Sequence, residues 1–417
     1  MKKRHGTILF VLLALIAGLL WALLAPEPVE EKRCRLKLKT NPDHSPITSL
    51  VTQWLFPLPN KPDEIKDVPS DIRHPSYYYL TVGGRRMPLA VNFSGTLRMR
   101  LDADGDGLLS DESCHLAHLV ESRRENFTYR NKFGPLSLPT GDGRNQAIVS
   151  FNVLSYRRDR SGPLRVYPAR YREGKMRIGD RIHKAALVDG DYDGRYNSVL
   201  SPPVDKMAAP QCDLLAIDLN GDGKFEPGTG PTCETMPLSK MILLGDTYYT
   251  IDVTPDGSRL ELNEIQPEMG ELALDVGGGN MALEVWSDAA RQVLSCTPDS
   301  CKLPAARYQT RSATLQLKDS LRNNWAFSVR DKLGPLAFFE INAGETARVR
   351  LGPPLLITAE IANPGTDNVT IRPVIIGCGS EEYEVAVQLN GRRLSAPAFK
   401  IVDEDGNVLV QDKFKYG

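Results

Sequence analysis

Three short acidic stretches carry the recognisable chemistry of this 417-residue chain. LDADGDGLLSDE begins at Leu101, VDGDYDGRYN at Val188 and IDLNGDGKFEP at Ile217. Each reads Asp-x-Asp/Asn-x-Asp-Gly, with Leu109, Tyr196 or Phe225 two places after the last Gly. Side-chain oxygens at positions 1, 3 and 5 of such a turn converge on one point. Gly at position 6 permits the bend, and the carbonyl of residue 7 adds a further ligand. The ligand positions of loop 1 are then Asp102, Asp104, Asp106, Leu108 and Ser110. Those of loop 2 are Asp189, Asp191, Asp193, Arg195 and Asn197, and those of loop 3 are Asp218, Asn220, Asp222, Lys224 and Glu226. Hard oxygen donors without His or Cys suit calcium rather than zinc or copper.

The pattern departs from a full EF-hand in one respect. The bidentate Glu of position 12 is replaced by Ser113, Leu200 and Thr229, and the nearby carboxylates (Asp111, Glu112, Asp205, Glu234) are off register. Fewer charged ligands move the expected calcium affinity toward the weak extracellular range of roughly 10⁻⁴–10⁻³ M. Loop 3, bracketed by Cys212 and Cys233, is expected to be the strongest site. The plainer role for Asp, Asn and Gly at these positions is turn formation, and three copies of the spacing weigh against turns alone.

The elements that must hold these loops are strands. TLRMRL, AALV and LLAI precede them with the alternation of a β-strand, so strand–loop units are expected in place of helix–loop–helix. Positions 102 and 189 are 87 apart but 189 and 218 only 29, which argues against a regular array. Further strands are read in YYYLTV and MPLAVNF around a GGRR turn, in AIVSFNVLSY, and in MRIGDRI after an EGK turn. MILLG, TYYTIDV and RLELNEI read as a meander, and the GGGN at 277–280 as a hairpin turn between ELALDV and MALEVWS. Short helices are expected at 48–54 and in LAHLVESRR.

The whole chain thus reads as all-β, mainly antiparallel sheets and sandwiches carrying the acidic loops. It adds an N-terminal transmembrane helix and a C-terminal immunoglobulin-like sandwich. The expected organisation is a tip and anchor (1–30), a Pro-rich stalk or lead-in (31–75), a β domain with the three loops (76–269), a β segment (270–333) and the sandwich (334–417).

Location follows from the first residues. MKKRH precedes an uncharged apolar run at 6–25, long enough to span a bilayer, and its basic flank should stay cytoplasmic. The membrane is therefore an expected partner through 6–25, with the body in the periplasm or at the cell surface; a cleaved signal is the alternative. In that compartment disulfides persist, and Cys212–Cys233 and Cys296–Cys301 are the spacings that suggest them. A net charge of −1 gives no basic footprint for nucleic acid.

The order of a strand with DxDxDG, a long β segment, VDGDYDGRYN and DLLAIDLNGDGKF, closed by FKIVDEDGNVLVQDKFKYG, resembles a group of uncharacterised bacterial envelope proteins. That resemblance implies an exported β architecture with EF-hand-like loops and no established activity. The loops also resemble dockerin calcium loops, from which they depart by following strands and lacking the acid at position 12.

Catalytic motifs are absent: neither HExxH nor GxSxG occurs, and CHLAH (Cys114, His115, His118) lacks a fourth ligand at suitable spacing. The functional expectation is a calcium-stabilised structural or adhesive protein with an envelope glycan or protein ligand. The alternative is an envelope hydrolase acting on glycans or peptidoglycan, with Tyr77, Tyr78, Tyr79, Trp286 and Trp325 as sugar-stacking candidates.

Overall fold

The computed structural model describes residues 33–40, 47, 51–124, 127–154, 162–201, 212–226, 233–287, 291–296, 300–329, 332–362 and 370–414. Among them the fold is all-β, and the one named helical element is a 3-10 turn at Gly334–Leu336. No described helix is long and apolar enough to cross a membrane, and the run at 6–25 lies outside the described residues. Among the described residues the named strands pair antiparallel, apart from Met269–Asp275 beside Thr346–Arg350, which run parallel.

Alternation builds the first core. Ser76–Val82 and Arg85–Asn92 form a hairpin on Gly83 and Gly84, whose φ values of 51° and 76° need glycine, and Arg98–Leu101 completes the meander. Tyr78, Leu80 and Val82 point inward against Phe133, Val149, Phe151 and Val166 of a second sheet. Loop 1 leaves the end of Arg98–Leu101.

Loops 2 and 3 leave neighbouring strands of another sheet, Arg181–Val188 and Leu214–Ile217, paired antiparallel with Val188 opposite Leu214. Leu187, Leu215 and Ile217 bury against Leu260 and Leu262 of the expected meander, Met241–Leu244, Thr247–Val253 and Arg259–Ile265. The Pro-rich lead-in enters these sheets: Arg33–Arg35 pairs with Arg259–Ile265, and Lys37–Thr40 with Arg170–Ile178.

In the C-terminal half Met269–Asp275 and Asn280–Trp286 sit in different sheets around one core that includes Leu272, Leu283, Leu315 and Phe339. Strands on both sides of Gly334 share these sheets, because Phe338–Ile341 pairs with Ala306–Lys318. Leu356–Ala362, Thr370–Ile376 and Glu382–Tyr383 form a separate three-stranded sheet, and Ala398–Val402 with Val408–Lys413 a hairpin.

Several local expectations are corrected. LAHLVESRR is no helix: His118–Arg124 is a strand paired with Phe127–Pro139. The 48–54 helix gives way to a strand at Gln53–Leu55, with 48–50 outside the described residues. EGK lies inside the continuous strand Arg170–Ile178. Gly174 is required there because a Cβ would stand 2.4 Å from the Arg35 carbonyl oxygen and 2.6 Å from Cys34 Sγ. GGGN is a crossover between two sheets rather than a hairpin turn. Cys212 and Cys233 are buried free thiols and form no clamp; the Cys296 side chain lies outside the described residues.

Candidate metal centre

All three loops use one turn geometry. The carboxylate oxygen of position 5 accepts from the N–H of position 7: Asp106 from Leu108 (2.7 Å), Asp193 from Arg195 (2.7 Å) and Asp222 from Lys224 (2.8 Å). Position 3 does the same for position 5: Asp104 from Asp106, Asp191 from Asp193 and Asn220 from Asp222. Position 1 is buried in every case, at Asp102, Asp189 and Asp218, and holds the interior of its loop. These bonds turn the side-chain oxygens toward each loop's centre.

A further acid joins each loop from outside the motif, the fourth in loops 1 and 2 and the third in loop 3. Glu112 Oε1 accepts from the N–H groups of Ala103 and Asp104, and Glu234 Oε1 from those of Leu219 (2.8 Å) and Asn220 (2.9 Å). Asp213 Oδ1 accepts from Gly190 N–H (3.0 Å) and Oδ2 from Ser198 N–H (2.7 Å). Antiparallel register explains their arrival. Val188 faces Leu214, so Asp189 just past one strand meets Asp213 just before the next. Met99 faces His115, and the same count brings Glu112 opposite Asp102.

The loops differ in burial and charge. In loop 2, carboxylate oxygens of Asp189, Asp191 and Asp213 lie within 4.8 Å of one another. A calcium ion with ligand distances of 2.3–2.6 Å can touch atoms up to about 5 Å apart, so the trio matches its coordination sphere. Asp213 is fully buried and Asp189 nearly so. Burial, then Asp191 and Asp193, pushes the Asp189 carboxyl well above the usual carboxylate range; burial, then Asp191 and Asp189, does the same for Asp213. Burial and Asp193 also raise Asp191. Tyr192 at position 4 replaces the glycine of the other loops and adopts φ 60°. It is held there by complete burial and by its hydroxyl, which donates to the Val51 carbonyl.

Loop 1 groups Asp102, Asp104 and Asp106 in the same way, but Asp104 is exposed. The Arg85 guanidinium packs against this loop: a Cβ at Gly105 would stand 2.7 Å from Arg85 Nη2. Lys66 Nζ also donates to the Asp106 carbonyl (2.5 Å). Burial, and then the charges of Asp104 and Asp102, raise Glu112. Loop 3 offers the two carboxylates Asp218 and Asp222 and the amide of Asn220, while Glu234 Oε2 accepts from Glu226 N–H. Among the described residues the carboxylate trios are therefore at loops 1 and 2 rather than loop 3, and the more buried of the two is at loop 2.

Among the other expected ligands, the Ser110 carbonyl accepts from Arg100 Nη1, and Arg195 pairs with Asp142 at 3.3 Å. Thr229, which stands where a full EF-hand has its Glu, and the off-register Asp205 lie outside the described residues. Sequence reasoning missed Asp213. Its signal was an acid placed immediately before the strand that follows loop 2.

The remaining candidates resolve into structure. His115 and His118 sit on two strands, paired with Met99 and Lys132, and share no helix face. Tyr78 is buried with its hydroxyl on the Gly162 carbonyl (2.8 Å), and Tyr79 bonds Glu64 with Arg86 over its ring. Trp286 bonds Glu284 and Trp325 bonds Asp319. Comparison with protein-family models, with curated proteins and with solved structures finds no match.

Proposed function

We propose that this chain is an exported, envelope-anchored β scaffold of structural or adhesive role, whose acidic loops hold calcium, with loop 2 as the principal site. The observation that carries the reading is the convergence of Asp189, Asp191 and Asp213 at the junction of two strands. Two buried carboxylates and the half-buried Asp191 repel one another without a cation; a divalent ion converts that repulsion into a crosslink between Arg181–Val188 and Leu214–Ile217. The donor set is oxygen alone. Burial pushes the adjacent Cys212 thiol up to about 12, so it stays protonated and offers no thiolate to a soft metal. Support for the anchor is the uncharged run at 6–25.

Calorimetric titration of calcium into the full chain tests this, with Asp191→Asn alongside. The amide keeps the acceptor for Asp193 N–H and removes one charge. Binding in the parent, weakened about tenfold or more in the variant, is the expected result. No heat up to millimolar calcium refutes it.

A further inference from the structure

The C-terminal unit leaves an apolar surface without a partner. Between the three-stranded sheet and the hairpin lies a groove of about 800 Å³, lined by side chains such as Phe327, Ile357, Ile361, Ile371 and Phe399. Leu356–Ala362 is the end strand of its sheet, and among the described residues no strand pairs with its other edge. Ile357 is 76% exposed, Ile361 60% and Leu356 61%.

Natural edges are protected by charge, proline or bulges. Here the only charged residue on the edge strand is Glu360, and it is engaged within its own sheet by Arg372 Nε (3.0 Å) and Nη2. Its carboxylate is held below the usual range, chiefly by that bond. Lys332 Nζ also lies 3.7 Å from Glu360 Oε1, so the one charge on this largely apolar edge is compensated.

In the strand sequence, LITAEIA, Ile357 and Ile361 stand at equal distances on either side of Ala359. We propose that this edge pairs with the same edge of a second copy, antiparallel about a twofold axis at Ala359. In that register Ile357 faces the partner's Ile361, Thr358 faces the partner's Glu360, and the two Ala359 residues meet on the axis. Such self-complementarity is what a twofold interface requires. The pairing turns two three-stranded sheets into one of six strands, and the groove beneath, which Ile357, Ala359 and Ile361 line, runs across the axis. On the edge strand itself, Leu356, Ile357 and Ile361 leave roughly 300–350 Å² of apolar surface exposed to a partner edge. A membrane surface fits less well, because the hairpin turn carries Asp403, Glu404 and Asp405.

Oxidative crosslinking of the full chain in the expressing cells tests the register, using Ala359→Cys in a Cys378→Ser background that removes an exposed thiol. Directly opposed residues of an antiparallel pair have Cα atoms ~4.5–5.5 Å apart, within disulfide reach. The expected result is a disulfide-linked species of twice the chain mass, mapped to the introduced thiols. Thr370→Cys, at the exposed end of the next strand, should give at least tenfold less. Adding Ile357→Lys and Ile361→Lys should abolish the Ala359→Cys crosslink while leaving the melting temperature unchanged, since both side chains are exposed. Equal crosslinking by both thiols, crosslinking that survives the lysines, or a chain that stays monomeric and uncrosslinked each overturns the proposal. The monomeric outcome would give the groove to another occupant, an extended apolar peptide or a lipid chain.

Discussion

Stabilisation by calcium should depend on pH in a direction set by loop 2. At an effective dielectric of about 20, two ionised carboxylates 4.8 Å apart repel by about 3.5 kcal/mol, so three pairs approach 10 kcal/mol. That matches the entire stability of an ordinary domain, ~5–15 kcal/mol, and without a cation the trio must retain protons. Burial first, and then this repulsion, raises the Asp189 and Asp213 carboxyls. An acid raised on folding contributes stability below its unfolded pKa, about 3.9, and loses it as pH rises through its folded value. The cation-free chain should therefore become less stable from about pH 4 toward neutrality. Calcium requires the ionised forms, so its binding expels protons and strengthens over the same range. At a hundredfold excess over Kd, one site adds about 2.7 kcal/mol. For a unit of 150–250 residues this raises Tm by about 5–10 °C. Scanning calorimetry at pH 5.5, 6.5 and 7.5, with calcium or with chelator, measures the difference. It should be largest at pH 7.5 and less than half as large at pH 5.5, and Asp213→Asn should flatten the dependence. A calcium shift equal at all three values, or largest at pH 5.5, would refute the reasoning.

Other perturbations have defined outcomes. Tyr192→Phe leaves the buried Val51 carbonyl without its hydroxyl donor and should cost about 1–3 kcal/mol in denaturant unfolding. Tyr192→Ala should cost more, about 3–5 kcal/mol, because a fully buried ring is lost as well. Gly107→Ala places a Cβ 2.2 Å from the Glu64 carbonyl oxygen at φ 84°; it should lower Tm by several degrees and increase proteolysis between residues 60 and 112. Iodoacetamide should label exposed Cys378 in the native chain, whereas Cys34, Cys212 and Cys233 should react only after denaturation, as peptide mapping will show.

Much of this architecture was legible in short-range patterns. Alternation in YYYLTV and the Gly83–Gly84 turn gave a hairpin with its face toward the core, and three strands before three acidic loops were found where expected. The failures share a cause, which is that local patterns do not encode what lies across the sheet. LAHLVESRR has helix-compatible composition, yet pairing with Phe127–Pro139 makes its end a strand. GGGN resembles a hairpin turn, but the strands it joins find partners elsewhere, one of them in parallel. The acid missing from position 12 was sought along the loop, whereas register delivers Asp213 from the adjacent strand. Comparable reasoning from strand ends would have located it: once Val188 is set opposite Leu214, the residues flanking that pair are Asp189 and Asp213.

The central claim is that a cation sits between those residues. Anomalous diffraction from crystals grown with calcium, or with a lanthanide in its place, tests it most directly. A peak about 2.3–2.6 Å from carboxylate oxygens of Asp189, Asp191 and Asp213 is the predicted result. Loop 2 lacking that peak while the ion binds elsewhere on the chain would contradict the account.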